Sequence, residues 1–165
     1  MNKFPKKYPR QKGAALFVSL VLLLVLTLLG IAAMRNTTLE EKMAGNARDL
    51  NLAFNAAEAG LRGGEAEISA SAVLPPFNGT VTGYFAADTN LWRTIDWATQ
   101  AIEYSTPIAG VAAQPRYYLE EMPAVTTDAS KEGGIPLEVN MYRVTAIGYG
   151  STETAVVILQ STFRR

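Results

Sequence analysis

The stretch RQKGAALFVSLVLLLVLTLLGIAAM, residues 10–34, decides how this chain folds. A basic leader and one glycine open it, and from Gly13 to Met34 there are 22 residues without a charge. At about 1.5 Å of rise per helical residue the run is ~33 Å long, enough to cross a bilayer core of about 30 Å. Lys3, Lys6, Lys7, Arg10 and Lys12 precede it, with no acidic residue among them. That bias keeps the amino terminus in the cytoplasm and puts everything after Met34 on the far side of a membrane crossed once.

Composition narrows the rest. The leader holds five of the 15 basic residues and none of the 15 acidic ones, so the remainder carries ten against 15, a balance of −5. A chain that binds nucleic acid through a basic patch would concentrate positive charge beyond the membrane segment, and this one does the reverse. Without cysteine there is neither a disulfide nor an acylated lipoprotein thiol. Without histidine as well, the common zinc sites and every triad built on His or Cys are excluded. After the helical part, about 95 residues are left, enough for one small domain with a single core.

The leader admits three fates. It can stay whole as a signal-anchor. It can be cut as a secretory signal near Gly30-Ile31-Ala32, although such apolar regions usually span about 7–15 residues. Or it can be cut ahead of the apolar run, between Gly13 and Ala14, which keeps the greasy helix in the mature chain.

Lys12-Gly13-Ala14-Ala15-Leu16 and the apolar helix behind it resemble the prepilin signal of type IV pilins. Further on, Met34-Arg35, Glu40-Glu41-Lys42-Met43-Ala44-Gly45-Asn46 and Ala56-Ala57-Glu58-Ala59-Gly60-Leu61-Arg62 resemble the PilX-type minor pilins. So does the ending, Tyr142–Gly150 with Gln160-Ser161-Thr162-Phe163. The likeness covers residues 10–68 and 140–165, while the middle carries no signature. It implies that a prepilin peptidase cuts after Gly13 and that Ala14 is then methylated. It further implies a minor pilin that helps initiate pilus assembly, with other minor pilins, the major pilin and a tip-associated adhesin as partners. The subunit would pass from the inner membrane to the extracellular pilus. One departure stands out. Most pilins carry glutamate as the fifth mature residue, and here that position is Val18. A carboxylate in lipid is costly unless paired, so the usual glutamate is thought to neutralise a neighbour's amino terminus. A subunit without one suits the leading end of a filament or docks by shape alone. A type II secretion pseudopilin and a signal-anchored periplasmic binding or sensor domain remain as alternatives.

Beyond Arg35 the apolar spacing continues as a stripe. Leu39, Met43, Leu50, Phe54, Ala57, Leu61 and Ile68 recur at steps of three, four or their sum, seven. Small residues such as Ala44, Ala47 and Ala53 permit close packing, and Glu58 and Arg62 pair one turn apart. No proline lies between Ala14 and Leu74. One helix from Ala14 to about Ile68 would run ~82 Å. Gly30, Gly45, Gly60 and Gly63-Gly64 each weaken it by about 1 kcal/mol relative to alanine, and the Gly63-Gly64 pair is a candidate early end.

Residues 73–90, with Pro75-Pro76, Asn78-Gly79 and Gly83, read as a connecting loop. Leu91–Gln100 reads as a short helix or a strand, Arg116–Met122 as a strand between Pro115 and Pro123, and Asp128–Pro136 as a polar loop. Tyr142–Tyr149 and Thr154–Phe163 read as a hairpin closed by Gly150-Ser151-Thr152-Glu153. One hairpin face then carries Val144, Ala146 and Gly148 opposite Leu159, Val157 and Ala155, and the helix is expected to pack there. The other carries Arg143, Thr145 and Ile147 opposite Gln160, Ile158 and Val156. The expected fold is α+β and pilin-like: a long N-terminal α-helix, its first half transmembrane and its second half packed on a C-terminal antiparallel β-sheet. The divisions are 1–13 leader, 14–34 transmembrane helix, 35–70 amphipathic helix and 71–165 β-rich head.

No catalytic, cofactor or metal site is expected. Glu40-Glu41, Glu65/Glu67 and Glu120-Glu121 read as solvated charges, because adjacent acids do not converge across a pocket. Asp128, Ser130 and Glu132 lack the closing bidentate acid of a calcium loop. Tyr117-Tyr118, Trp92 and Trp97 read as core or sheet aromatics before they read as an adhesive patch. Asn36-Thr37-Thr38 and Asn78-Gly79-Thr80 match a glycosylation pattern short enough to arise by chance.

Overall fold

The computed structural model describes residues 13–126 and 138–165. In chain order its elements are α1 (Ala14–Ala70), β1 (Tyr84–Ala86), α2 (Leu91–Thr94), β2 (Ile102–Glu103), β3 (Arg116–Thr126), β4 (Glu138–Tyr149) and β5 (Val156–Arg164). The chain forms two compact units, Met1–Ala44 and Gly45–Arg165. The described part of the first is helix from Ala14 onward, and every described side chain in it is exposed. Its hydroxyls are satisfied by the helix itself: Thr27 Oγ1 donates to the Leu23 and Leu24 carbonyls at 3.0 and 2.8 Å, and Thr38 Oγ1 to that of Met34 at 3.0 Å. No unpaired donor from these residues is left facing an apolar medium.

In the second unit the sheet runs in the order β1-β3-β4-β5, with β2 also paired to β3. It is mostly antiparallel; β1 runs parallel to β3, with Tyr84 beside Leu119. The stretch expected to be a bare connecting loop therefore contains a strand. It is only three residues long, and Gly83 before it adopts φ +84° while its carbonyl accepts the Leu119 N–H at 2.8 Å. A glycine is needed to enter such a strand from that conformation. Of Leu91–Gln100 only Leu91–Thr94 is helical. Pro123 does not end β3. The register between β3 and β4 shifts between Met122 and Val125, and a residue without an N–H is tolerated at such an irregularity.

The helix packs on the face carrying Val144, Ala146 and Gly148, as the alternation of β4 requires. Ala53, Ala57 and Ile68 are fully buried, and Ile68 joins Tyr84, Tyr117, Leu119, Tyr142, Val144 and Ala146 in the core. The packing is close because both surfaces are nearly bare. A Cβ at Gly148 would sit 2.2 Å from the Ala57 nitrogen and 2.3 Å from the Ala53 carbonyl oxygen, and one at Gly64 would sit 2.5 Å from Val144 Cγ1. Gly63-Gly64 therefore does not end α1, which runs on to Ala70. The pair marks where the sheet presses on the helix.

The partners of this face on β5 are displaced by two residues from those expected. Ala146 lies opposite Leu159 and Gly148 opposite Val157, while Val144 faces Ser161. The Gly150 N–H donates to the Ala155 carbonyl at 2.8 Å, so the four-residue loop is Ser151–Thr154 and starts one residue late. A shift of two preserves which side chains share a face.

The opposite face of the sheet is covered as well. Tyr118, Glu120 and Thr145 are fully buried there, beneath a strap that includes Ile95, Trp97 and Ala101. The Trp97 and Phe85 rings lie 5.4 and 5.9 Å from that of Tyr118. Glu120 is thus not a solvated charge. Alternation sets it opposite Arg143, whose Nε and Nη2 donate to its two oxygens, each at 2.7 Å. The Asp88 N–H donates to Glu120 at 2.9 Å and the Asp88 carbonyl accepts from Arg143 at 2.8 Å, which fastens the strap. Glu120 holds Arg143 above its ordinary pKa through these bonds. Glu121, on the other side of the strand, is exposed.

Two glycine substitutions separate packing from propensity. Gly148→Ala drives a methyl into helix backbone and should cost about 3 kcal/mol. Gly45→Ala, where nothing lies within 4 Å, should instead stabilise by up to about 1 kcal/mol. Denaturant melts of the full chain in detergent, followed by near-ultraviolet circular dichroism, read both.

Candidate assembly interface

The amino-terminal surface is built by a helix that begins immediately after Gly13. The Phe17 N–H approaches the Gly13 carbonyl at 3.5 Å, making Gly13 the last residue outside the helix and Ala14 the first within it. A side chain at Gly13 would meet nothing within 4 Å among the described residues, so no contact with them calls for glycine there. Val18 is 54% exposed, and the large apolar residues from Leu16 to Met34 range from 43 to 74%. A folded soluble chain does not leave so many such side chains without a partner. This is the one helix among the described residues long and apolar enough to cross a membrane.

The stripe beyond it divides. Ala57 and Ile68 are buried and Leu61 packs against the core, whereas Leu39, Met43, Leu50 and Phe54 remain 45–63% exposed. Of the small residues expected to permit close approach, Ala53 is buried in the head, while Ala44 and Ala47 are exposed.

Two carboxylates on the buried side of the helix fasten it to the head. Asp49 accepts from Thr152 Oγ1 at 2.6 Å, from Ser151 Oγ at 2.8 Å and from the Ser151 N–H. The Thr152 hydroxyl first, and then that of Ser151, hold its pKa below the usual carboxylate value. Glu67 accepts from the Tyr84 and Tyr117 hydroxyls, each at 2.5 Å. Burial first, and then the Glu67 bond, push both phenols well above their ordinary pKa. Neighbouring Glu65 accepts from Ser161 Oγ at 2.7 Å. Glu65 and Glu67 are therefore occupied by structural bonds and do not converge on a pocket.

Sequence reasoning missed both fasteners. Spacing held a trace of one: Asp49 lies four and eight residues before Ala53 and Ala57 and so shares their helix face. The Glu67 pairing left no local trace, since its partners are 17 and 50 residues away. Tyr117 and Tyr118 are core aromatics, one on each face of the sheet. Trp97 packs on Tyr118, while Trp92 lies under the Arg93 guanidinium, 4.7 Å from its ring centre. Among the described residues no three acidic side chains gather where they could hold a metal ion. The Asp128, Ser130 and Glu132 stretch lies outside the described residues.

A helix with an unpartnered apolar half, begun at a glycine and tied by its other half to an antiparallel sheet, meets two family models. Residues 12–62 match the PilX N-terminal domain, and residues 46–165 match the C-terminal domain of the type IV pilus assembly protein PilX. The chain belongs to the PilX family. PilX-family chains are type IV pilus assembly components of the minor-pilin kind, structural parts of the filament system. No curated protein and no solved structure gives a significant match. In this PilX-family chain the two matched regions meet in the buried half of α1.

The Asp49 fastener gives a pH test. A carboxylate whose folded pKa is lowered stabilises the fold fully above its unfolded value of about 3.9, and that contribution is lost as pH falls through the lowered folded value. Protection of the Ser151 N–H, measured as its exchange rate relative to the intrinsic rate at each pH, should fall across this acid range in the native chain. In Asp49→Asn that protection should already be low at neutral pH and lack the acid step.

Proposed function

We propose that this chain is a minor pilin that helps prime type IV pilus assembly and enters the filament, at or near its leading end. The observation that carries the reading is the helix that starts at Ala14 and leaves every large apolar side chain from Leu16 to Met34 exposed. Such a surface needs one apolar environment before assembly and another after it. The inner-membrane lipid supplies the first, with the amino terminus cytoplasmic and the head periplasmic. Neighbouring pilin helices supply the second.

Lipid tails are as apolar as leucine, so moving from lipid to filament gains little hydrophobic energy. Close van der Waals packing between helices drives the exchange. Prepilin peptidase must act first, cutting between Gly13 and Ala14 so that the apolar helix keeps its whole length. At the fifth mature position, Val18 brings no carboxylate into the lipid and offers none to an earlier subunit. That suits a subunit with no predecessor. The head is left to contact other minor pilins, the major pilin and a tip-associated adhesin.

Mass spectrometry of the mature chain tests the processing step: residues 1–13 should be absent and Ala14 should carry one methyl group. A chain begun near residue 32, or one left whole, overturns the reading. Gly13→Phe should accumulate as uncut precursor and be missing from sheared filaments. Val18→Glu should raise the amount of the chain recovered in filaments, because it restores the docking carboxylate.

A further inference from the structure

The two edges of the sheet are unlike. On one side β3 is covered only by β1 and β2, which are three and two residues long. On the other, β5 offers nine residues in unbroken register, Val156–Arg164, with no proline, no lysine and no bulge. Natural proteins blunt edge strands with such devices, because an exposed row of N–H and C=O groups invites another strand.

Which groups are exposed follows from the ladder. The Arg165 N–H donates to the Asn140 carbonyl and the Gly150 N–H to that of Ala155, so the odd-numbered residues of β5 point their backbone at β4. Val156, Ile158, Gln160, Thr162 and Arg164 then point theirs away from the sheet. Among the described residues, no backbone group outside β4 bonds to them. Beside this edge is a hollow of about 310 Å³ lined by Trp92, Ile158 and Gln160. The Arg93 guanidinium lies over the Trp92 ring, and Arg164 ends the strand, exposed.

We propose that the free edge of β5 is a docking strand that receives an extended acidic segment of another pilus component. The incoming strand runs antiparallel, sets an apolar side chain in the Trp92–Ile158 hollow and brings carboxylates to Arg164 and Arg93. Main-chain bonds supply affinity, and the hollow and the charge supply specificity. Glu153 in the loop at the far end of the edge repels the acidic end and so fixes direction.

A second copy of this chain is a poorer occupant. An antiparallel pair of β5 edges is related by a two-fold axis normal to the sheet, which turns the two Gly45–Ala70 helical segments end for end. Subunits repeated along one polar filament share one direction, which this pairing breaks. A parallel pair would set Arg164 beside Arg164, and like charges directly opposite are destabilising.

The inference rests on the assembly reading for the partner's source but is tested apart from it. The full chain in detergent is mixed with a synthetic peptide of alternating valine and threonine that begins with two glutamates, and binding is followed by fluorescence anisotropy. The same peptide with two lysines should bind about tenfold more weakly. Hydrogen exchange should slow on binding at the amides of residues 156, 158, 160, 162 and 164. Thr162→Pro removes one outward N–H, and Ile158→Lys charges the hollow. Each should weaken binding about fivefold or more, and the melt of Thr162→Pro, at an exposed position with its N–H turned outward, should change little.

Equal binding of both peptides, protection of these amides before any peptide is added, or self-association of the chain through β5 would overturn the proposal. A chain correctly cut after Gly13 whose edge ignores the peptide refutes the docking strand alone. An uncut chain whose edge binds it refutes the assembly reading alone.

Discussion

The head unit depends on how closely a helix can lie on a sheet. Gly148 meets the backbone of Ala53 and Ala57 with no side chain between them, and Gly64 takes the Val144 methyl on the helix side. Small residues therefore replace the large interlocking side chains of an ordinary core at this seam. The gain is dispersion from many close atom pairs, at the cost of near-zero tolerance for added volume. The larger core residues, Tyr117, Leu119, Tyr142 and Ile68, gather toward the end of the helix, where the layers leave them room.

The hairpin loop follows directly on this contact. With Gly148 against the helix, the following loop lies beside Asp49, whose carboxylate collects the Ser151 and Thr152 donors. Pairing runs on through Gly150, whose N–H donates to the Ala155 carbonyl, and the turn falls at Ser151–Thr154. The loop that closes β4 on β5 is thus held by a carboxylate about a hundred residues earlier in the chain.

A second constraint acts on the other face. Burying Glu120 would cost several kcal/mol alone, so the fold supplies Arg143 in bidentate geometry and satisfies the remaining donor and acceptor from Asp88. The strap over Tyr118 and Thr145 is held by that pair together with the Arg116 guanidinium on the Trp97 and Ala98 carbonyls. A fold of this size covers both faces of its sheet only because a short irregular segment does work that a second helix layer performs in larger domains.

The membrane run, the long helix and the face of β4 that meets it were legible in the sequence alone, because each is a matter of local periodicity. A charge-free run measures a bilayer, and a three-and-four stripe measures a helix. A two-residue alternation sorts Val144, Ala146 and Gly148 from Arg143, Thr145 and Ile147. The parallel strand β1, the strap, the buried Glu120 and the Asp49 and Glu67 fasteners belong to the tertiary structure alone. Each joins residues 17 to more than 100 positions apart, and a local pattern carries no information about which distant partner will neutralise a charge or accept a proton. Gly63-Gly64 shows the division in one place: propensity reads the pair as a helix end, while in the structure the helix runs on and Val144, Tyr117 and Tyr104 pack where its side chains would be.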